Sequence, residues 1–155
     1  MKGIHLEKIY PHPVERVWQA IATSQGLASW LMPNDFEPRP GHRFQLRWKK
    51  VPGWRGIVDC EVLEIVPLQK LSFSWRGEPK QRPTRVTFTL TPVASGTRLV
   101  LDHDGFRGMG GWFSKLMMSG GWKSKMLERQ LPASLAVLQA NGLDALVPLD
   151  PHGAR

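Results

Sequence analysis

Residues 58–75 read VDCEVLEIVPLQKLSFSW, and this stretch decides the fold. Apolar residues occupy every second position on both sides of Pro67: first Val58, Cys60 and Val62, then Leu71, Phe73 and Trp75. Such alternation is typical of a β-strand that buries one face and leaves the other in water. Because proline favours a turn, the stretch predicts two neighbouring antiparallel strands.

The same alternation recurs on both sides of this pair of strands. It predicts further strands at residues 4–10, 43–48, 85–90 and 98–103. Turn residues at Pro52–Gly53, Gly77–Pro79 and Ser95–Gly96 separate the later strands. The chain therefore predicts an antiparallel sheet with one buried face, and His103 is the one polar residue expected on that face.

In three other segments, apolar residues recur with helical periodicity. Residues 14–21 form the first, directly after Pro13. A second, short helix is predicted with Ser24 as its N-cap and Pro33 as its end. The third carries a stripe of Leu127, Leu131, Leu135 and Leu138, ends at Gly142 and is predicted to kink at Pro132. Only this last helix is long enough to cover the buried face of the sheet, so the predicted fold class is α+β.

Composition limits the classes of function. The chain has 155 residues, a formal net charge of +8 and one cysteine, Cys60, which together indicate one domain without disulfides. The Lys and Arg residues are dispersed, so a solvated basic surface is expected and nucleic acid is not expected as a partner. The chain has neither an apolar run of membrane-spanning length nor a secretory signal pattern. These absences favour a cytoplasmic protein and do not favour a membrane partner.

Six motifs in order resemble a known family. They are PVERVWQAI at 13–21, LASWL at 27–31, GHRF at 41–44, EVLEIVP with LSFSW at 61–75, GTRLVL with HDGF at 96–106, and GW at 121–122. Together they resemble the START-like superfamily, also called SRPBCC. The most similar branch is that named for the homologue of the activator of the 90-kDa heat-shock-protein ATPase.

The resemblance implies a helix-grip fold, in which a curved antiparallel sheet wraps around a long C-terminal helix and leaves a cavity between them. We expect this domain to span residues 1–142, followed by a tail at 143–155. One feature departs from the family pattern. At about 100° per residue, Trp122 and Met126 fall on nearly the opposite side of the last helix from Leu127, Leu131 and Leu135.

Motifs for catalysis and cofactors are scarce. The sequence contains no nucleophile elbow, zinc-protease, phosphate-loop or dinucleotide motif. The five histidines lack metal-ligand spacing, so neither a metal nor a cofactor is expected. The glycine-rich segment at 105–111 favours a flexible lid over a phosphate site, and segment 106–118 is expected to open and close the mouth of the cavity.

Family members mostly bind hydrophobic small molecules, and some are polyketide cyclases or partner proteins. A lipid-like or polycyclic ligand is therefore expected here, with His103, Trp48 and Trp75 orienting its polar end. The candidate ligand-binding residues are Trp48, Phe73, Trp75, Phe88, His103, Phe106, Met118, Trp122 and Met126. Trp48 and Trp75 fit core packing and cavity lining equally well. Two alternatives remain: a cyclase or aromatase that uses His103 as acid or base, and an interaction module for a chaperone or another protein.

Overall fold

A six-stranded antiparallel sheet forms the centre of the fold. The structure, a computed structural model, describes residues 3–107 and 118–153. Neighbouring strands pair in the order β1-β6-β5-β4-β3-β2. Their bounds are β1 Ile4–Tyr10, β2 Arg43–Arg47, β3 Ile57–Val66, β4 Lys70–Trp75, β5 Thr84–Val93 and β6 Gly96–Asp104. Every strand lies where the alternation of apolar residues predicts one, and the first strand completes the sheet by pairing with the last.

Helices cover the apolar face of this sheet. The bounds are α1 Val14–Ile21, α2 Ser24–Trp30, a π-helix at Gly121–Gln130, α3 Leu131–Asn141 and a short 3-10 turn at Leu143–Ala145. The π-helix continues directly into α3. The prediction of an α+β helix-grip architecture is confirmed. Within the described residues, no helix combines the length and the apolar character needed to cross a membrane.

The N-cap of α2 is Thr23, so the prediction of Ser24 was wrong by one residue. The Thr23 hydroxyl oxygen accepts a hydrogen bond from the Gly26 N–H at 2.9 Å. Ser24 instead directs its hydroxyl to the side-chain oxygen of Asn34, 2.9 Å away. Gly26 also lets α2 lie close to α1, because a β-carbon there would collide with the backbone carbonyl of Ala20.

A change of helix type reconciles the two faces of the last helix. The Leu131 N–H donates to the Met126 carbonyl, five residues back, which is the π-helical pattern. Residues five apart then share a side, so Trp122 and Leu127 are both buried. The α-helical spacing resumes afterwards and buries Leu131, Leu135 and Leu138. The sequence predicts a kink at Pro132. In the structure, the two faces are instead brought to one side by the π-helical pattern before that residue.

The Tyr10 hydroxyl supplies the hydrogen-bond donor that Pro132 lacks. In the π-helical pattern the Leu127 carbonyl would accept from residue 132, but proline has no N–H. The Tyr10 hydroxyl donates to this carbonyl at 2.7 Å. Burial raises the pKa of Tyr10, so its hydroxyl stays a neutral donor. This bond connects the end of β1 to the helix on the opposite side of the core.

The residues after α3 pack back onto the domain. Gly142 ends the helix with a φ of 86°, as its position in the sequence predicts. Leu149 is buried, and its N–H donates to the Ala28 carbonyl of α2 at 2.8 Å. Part of the predicted tail is therefore anchored on α2.

We expect Tyr10→Phe to lower the free energy of unfolding by about 1–3 kcal/mol, because the buried Leu127 carbonyl loses its donor. Urea unfolding measures this change. Pro132→Ala supplies the missing N–H and is the matched background for a double-mutant cycle. Tyr10→Phe should cost clearly less in Pro132→Ala than in the parent, and equal costs in both backgrounds would contradict the assignment.

Candidate functional site

His103 lies at the centre of the buried aromatic face. It belongs to β6, where it pairs with Val86 of β5 and Ile4 of β1. Its side chain is fully buried. Its Nδ1 atom lies 3.1 Å from the Trp122 indole nitrogen, and its Nε2 atom lies 2.7 Å from the Thr84 hydroxyl oxygen. Both ring nitrogens are thus within hydrogen-bond distance of a side chain.

These contacts determine the tautomer of the His103 ring. An indole nitrogen can only donate, so Nδ1 must be the unprotonated acceptor. The proton then sits on Nε2, which donates to the Thr84 oxygen. The Thr84 hydroxyl in turn donates to the Trp75 carbonyl at 3.1 Å. The result is a hydrogen-bonded chain from the π-helix through β6 and β5 to β4, in which each group has a partner.

Burial also keeps His103 neutral. It lowers the pKa of His103 to about 3, from an ordinary value of 6.5. The hydrogen-bond partners of this histidine are side chains and include neither a backbone group nor a carboxylate. The partners are a hydroxyl and an indole. A neutral ring whose two nitrogens are both occupied is poorly suited to transferring protons in this arrangement.

Aromatic rings pack tightly around Trp122. Its ring centroid lies 5.5 Å from that of Trp75, 6.1 Å from that of Phe88 and 6.5 Å from that of Trp30. Ring pairs at these separations contribute packing energy beyond the area they bury. Six of the candidate ligand-binding residues are buried in this part of the core: Phe73, Trp75, Phe88, His103, Phe106 and Trp122. We refer to these six residues as the aromatic floor.

The other three candidate residues, Trp48, Met118 and Met126, are only half-buried. They pack against the edge of the core, and we refer to them as the rim. Lys125 of the π-helix places its ammonium nitrogen 5.8 Å from the centroid of the Trp48 ring. The rim therefore combines apolar surface that is still in contact with water and one cation.

The N–H groups of Trp30, Trp48, Trp75 and Trp122 fall into two sets. Trp30 donates to the Ala20 carbonyl at 2.8 Å, and Trp122 donates to His103. Trp48 and Trp75 make no side-chain hydrogen bond to any residue in 3–107 or 118–153. The first pair uses its donors inside the core. The N–H groups of Trp48, in the rim, and of Trp75, in the floor, have no partner among these residues.

Sequence reasoning missed two residues of this site. Thr84 directly follows Pro83 at the start of β5, and nothing in the alternation distinguishes it from a turn residue. Lys125 contacts Trp48 across a long separation in the sequence, which no local pattern indicates. Among the described residues, no group of three or more His, Cys, Asp or Glu side chains could hold a metal ion. Most of the predicted lid, residues 108–117, lies outside the described residues.

A comparison with known families decides the assignment of this fold. The family described as activator of Hsp90 ATPase homolog 1-like protein matches residues 11–136. The chain belongs to this family. The match confirms the resemblance drawn from the sequence motifs. None of the curated proteins matches the chain.

Solved structures agree with membership of the Hsp90 ATPase activator homologue family. The Mesorhizobium loti protein MLL2253 is 33% identical, with a TM-score of 0.72 over 89% of this chain and 96% of that chain. The Bacillus halodurans protein BH1534 is 28% identical, with a TM-score of 0.72 over 87% and 97% of the two chains. DynU16, a protein in the dynemicin biosynthetic locus, is 22% identical, with a TM-score of 0.70 over 92% and 48%. This last likeness concerns the fold alone.

The lowered pKa of His103 predicts a pH dependence of stability. The unfolded state takes up a proton near pH 6.5, whereas the folded state does so only near pH 3. Protonation therefore favours unfolding between these values, and stability falls with falling pH by up to about 1.4 kcal/mol per pH unit.

Urea unfolding of the parent and of His103→Gln across this pH range isolates the effect. Glutamine provides one acceptor and one donor but does not titrate. The other titrating groups are common to both proteins, so the parent should lose stability more steeply than the variant. Parallel curves would contradict a buried neutral His103.

Proposed function

We propose that this protein binds a hydrophobic small molecule, lipid-like or polycyclic, at the rim of the aromatic floor. One observation carries the proposal: Trp48, Met118 and Met126 leave apolar surface in contact with water where they pack against the buried core. A ligand that covers these side chains removes that surface from water.

The aromatic floor supports this proposal by its rigidity. The bond from Trp122 to His103 and the contact with Trp75 hold the indole in one orientation. A rigid floor loses little conformational freedom when a ligand packs against it, which favours affinity. The side chains of the floor are buried against one another, so in our proposal the ligand lies beside them.

The rim offers adaptability and a few polar contacts. Methionine side chains are flexible and polarizable, and they adjust to ligands of differing shape. The indole N–H groups of Trp48 and Trp75 can each donate one hydrogen bond to a polar end of the ligand. His103 does not take this role in our proposal, because both of its nitrogens already have partners.

The cyclase or aromatase alternative has less support. DynU16, from the dynemicin biosynthetic locus, has a similar fold, but this likeness does not identify a reaction. Such a reaction needs a group that can gain or lose a proton near neutral pH. The low pKa and complete burial of His103 argue against that group being His103. Binding is therefore the function we favour.

We expect Met126→Glu to weaken the binding of Nile red, an uncharged hydrophobic dye, by roughly tenfold or more, because it places a carboxylate at the rim. A fluorescence titration without lipid measures this affinity. Val147→Glu is the matched control, since Val147 is 59% exposed and lies in the segment after α3. Equal affinities in the parent and Met126→Glu, or an equal loss in both variants, would contradict binding at the rim.

Native mass spectrometry of the freshly purified protein provides an independent test. The proposal expects a mass excess over the 17.5 kDa chain that disappears on denaturation. Met126→Glu should carry less of this excess than Val147→Glu. An excess that is equal in both variants would place the bound molecule elsewhere.

A further inference from the structure

Most of the net positive charge lies in one part of the chain. Residues 39–85 hold eleven of the 21 Lys and Arg residues but only four of the 13 Asp and Glu residues. Seven of the eight net positive charges therefore fall within less than a third of the sequence. These cations look dispersed along the sequence because strands separate them. The sheet determines which of them come together.

Two loops gather several of these cations at one end of the sheet. Residues 48–56 join β2 to β3, and residues 76–83 join β4 to β5. Because β2, β3 and β4 are adjacent and antiparallel, both loops leave the sheet at the same end. The Arg55 guanidinium donates to the Gly77 carbonyl at 3.2 Å, so the loops touch. We call them together the loop surface.

The loop surface is strongly basic. Its exposed cations are Lys49, Lys50, Lys80 and Arg82, and none of them forms an ion pair with a described residue. Glu78 is the only acidic residue in the two loops. Asp59, on the neighbouring strand β3, already forms an ion pair with Arg55, whose guanidinium nitrogen lies 2.6 Å from the carboxylate oxygen. This bond lowers the pKa of Asp59. The exposed charge is therefore available to an external anion.

An apolar turn projects from the same surface. Val51 and Trp54 exchange backbone hydrogen bonds of 3.1 and 3.0 Å, which closes a tight turn around Pro52 and Gly53. Pro52 and Gly53 are exposed, and Trp54 is half-buried. Lys49, Lys50 and Arg55 flank this turn in the sequence. An apolar tip flanked by cations fits the interface of an anionic bilayer, where the lipid headgroups pair with the cations and the tip enters the boundary of the acyl chains.

The loop surface is continuous with the ligand site. Trp48 of the rim is the first residue of one loop, and Trp75 and Thr84 of the site flank the other loop. We infer that the loop surface docks this protein on an anionic lipid bilayer, with the rim beside the membrane, so that a hydrophobic ligand can pass between the two. The passage of ligand rests on the proposed function, whereas the docking does not.

Vesicle sedimentation with the full chain tests the docking. The probes are vesicles of phosphatidylcholine alone and vesicles of phosphatidylcholine and phosphatidylglycerol in equal parts. The parent should bind the mixed vesicles and not the neutral ones. The double variant Lys49→Glu/Lys50→Glu should bind the mixed vesicles roughly tenfold or more weakly, because each cation near the surface contributes to attraction.

Three further variants make the test specific. Arg39→Glu/Arg98→Glu changes the net charge equally. Arg39 precedes β2 and Arg98 lies near the start of β6, so both are exposed at the end of the sheet away from the loop surface, and this variant should bind nearly as the parent does. Pro52→Glu puts a carboxylate on the apolar tip and should also weaken binding. Ala94→Glu, in the exposed turn between β5 and β6, is its single-charge control.

Each other outcome overturns the inference. Failure of the parent to bind mixed vesicles excludes the docking. Equal losses of affinity in the two double variants would show that binding depends on the net charge of the protein and not on the loop surface. If Pro52→Glu binds as the parent does, the apolar tip does not enter the bilayer. The basic surface would then bind a polyanion in solution, such as a nucleic acid or an acidic protein. Nile red affinity without vesicles, measured on the same variants, separates this failure from failure of the proposed function.

Discussion

Burial of the Trp122 indole is the constraint on which the rest of the site depends. An indole N–H can only donate, and leaving it unpaired in the core costs about 1–3 kcal/mol. His103 is its acceptor. This one bond fixes the histidine tautomer, and the remaining ring proton then requires the Thr84 oxygen. A single polar group in the core thus couples the last helix to three strands of the sheet.

The same constraint acts on the helix. Trp122 and the leucine stripe must face the sheet together, which an α-helix with uniform spacing does not allow. The π-helical pattern brings Trp122 and Leu127 to one side, but the absence of an N–H on Pro132 leaves the Leu127 carbonyl without a helical donor. The only tyrosine of the chain supplies that donor from β1. The π-helical segment therefore buries Trp122, and the tyrosine supplies the hydrogen-bond donor that this segment lacks.

The positions of the strands could be predicted from the sequence, with ends that differ by up to three residues, whereas contacts between distant elements could not. The alternation at residues 4–10 is local, and β1 is Ile4–Tyr10. Thr23 and Ser24 are both suitable caps, and only the backbone of the folded chain selects Thr23. Thr84 and Lys125 belong to the site because of partners 19 and 77 positions away in the chain, and no local pattern encodes such a contact.

The close packing of the aromatic floor limits where a ligand can contact the protein. Ring centroids 5.5–6.5 Å apart place Trp122 in direct contact with its aromatic neighbours, and our proposal therefore places the ligand on the half-buried rim. A hydrophobic molecule held on one side only by Trp48, Met118 and Met126 still exposes apolar surface to water. That exposure is costly in bulk solvent and much less so beside a bilayer. If the ligand binds at the rim as we propose, the position of the rim next to the two basic loops explains why one side of the protein carries both the ligand site and exposed positive charge.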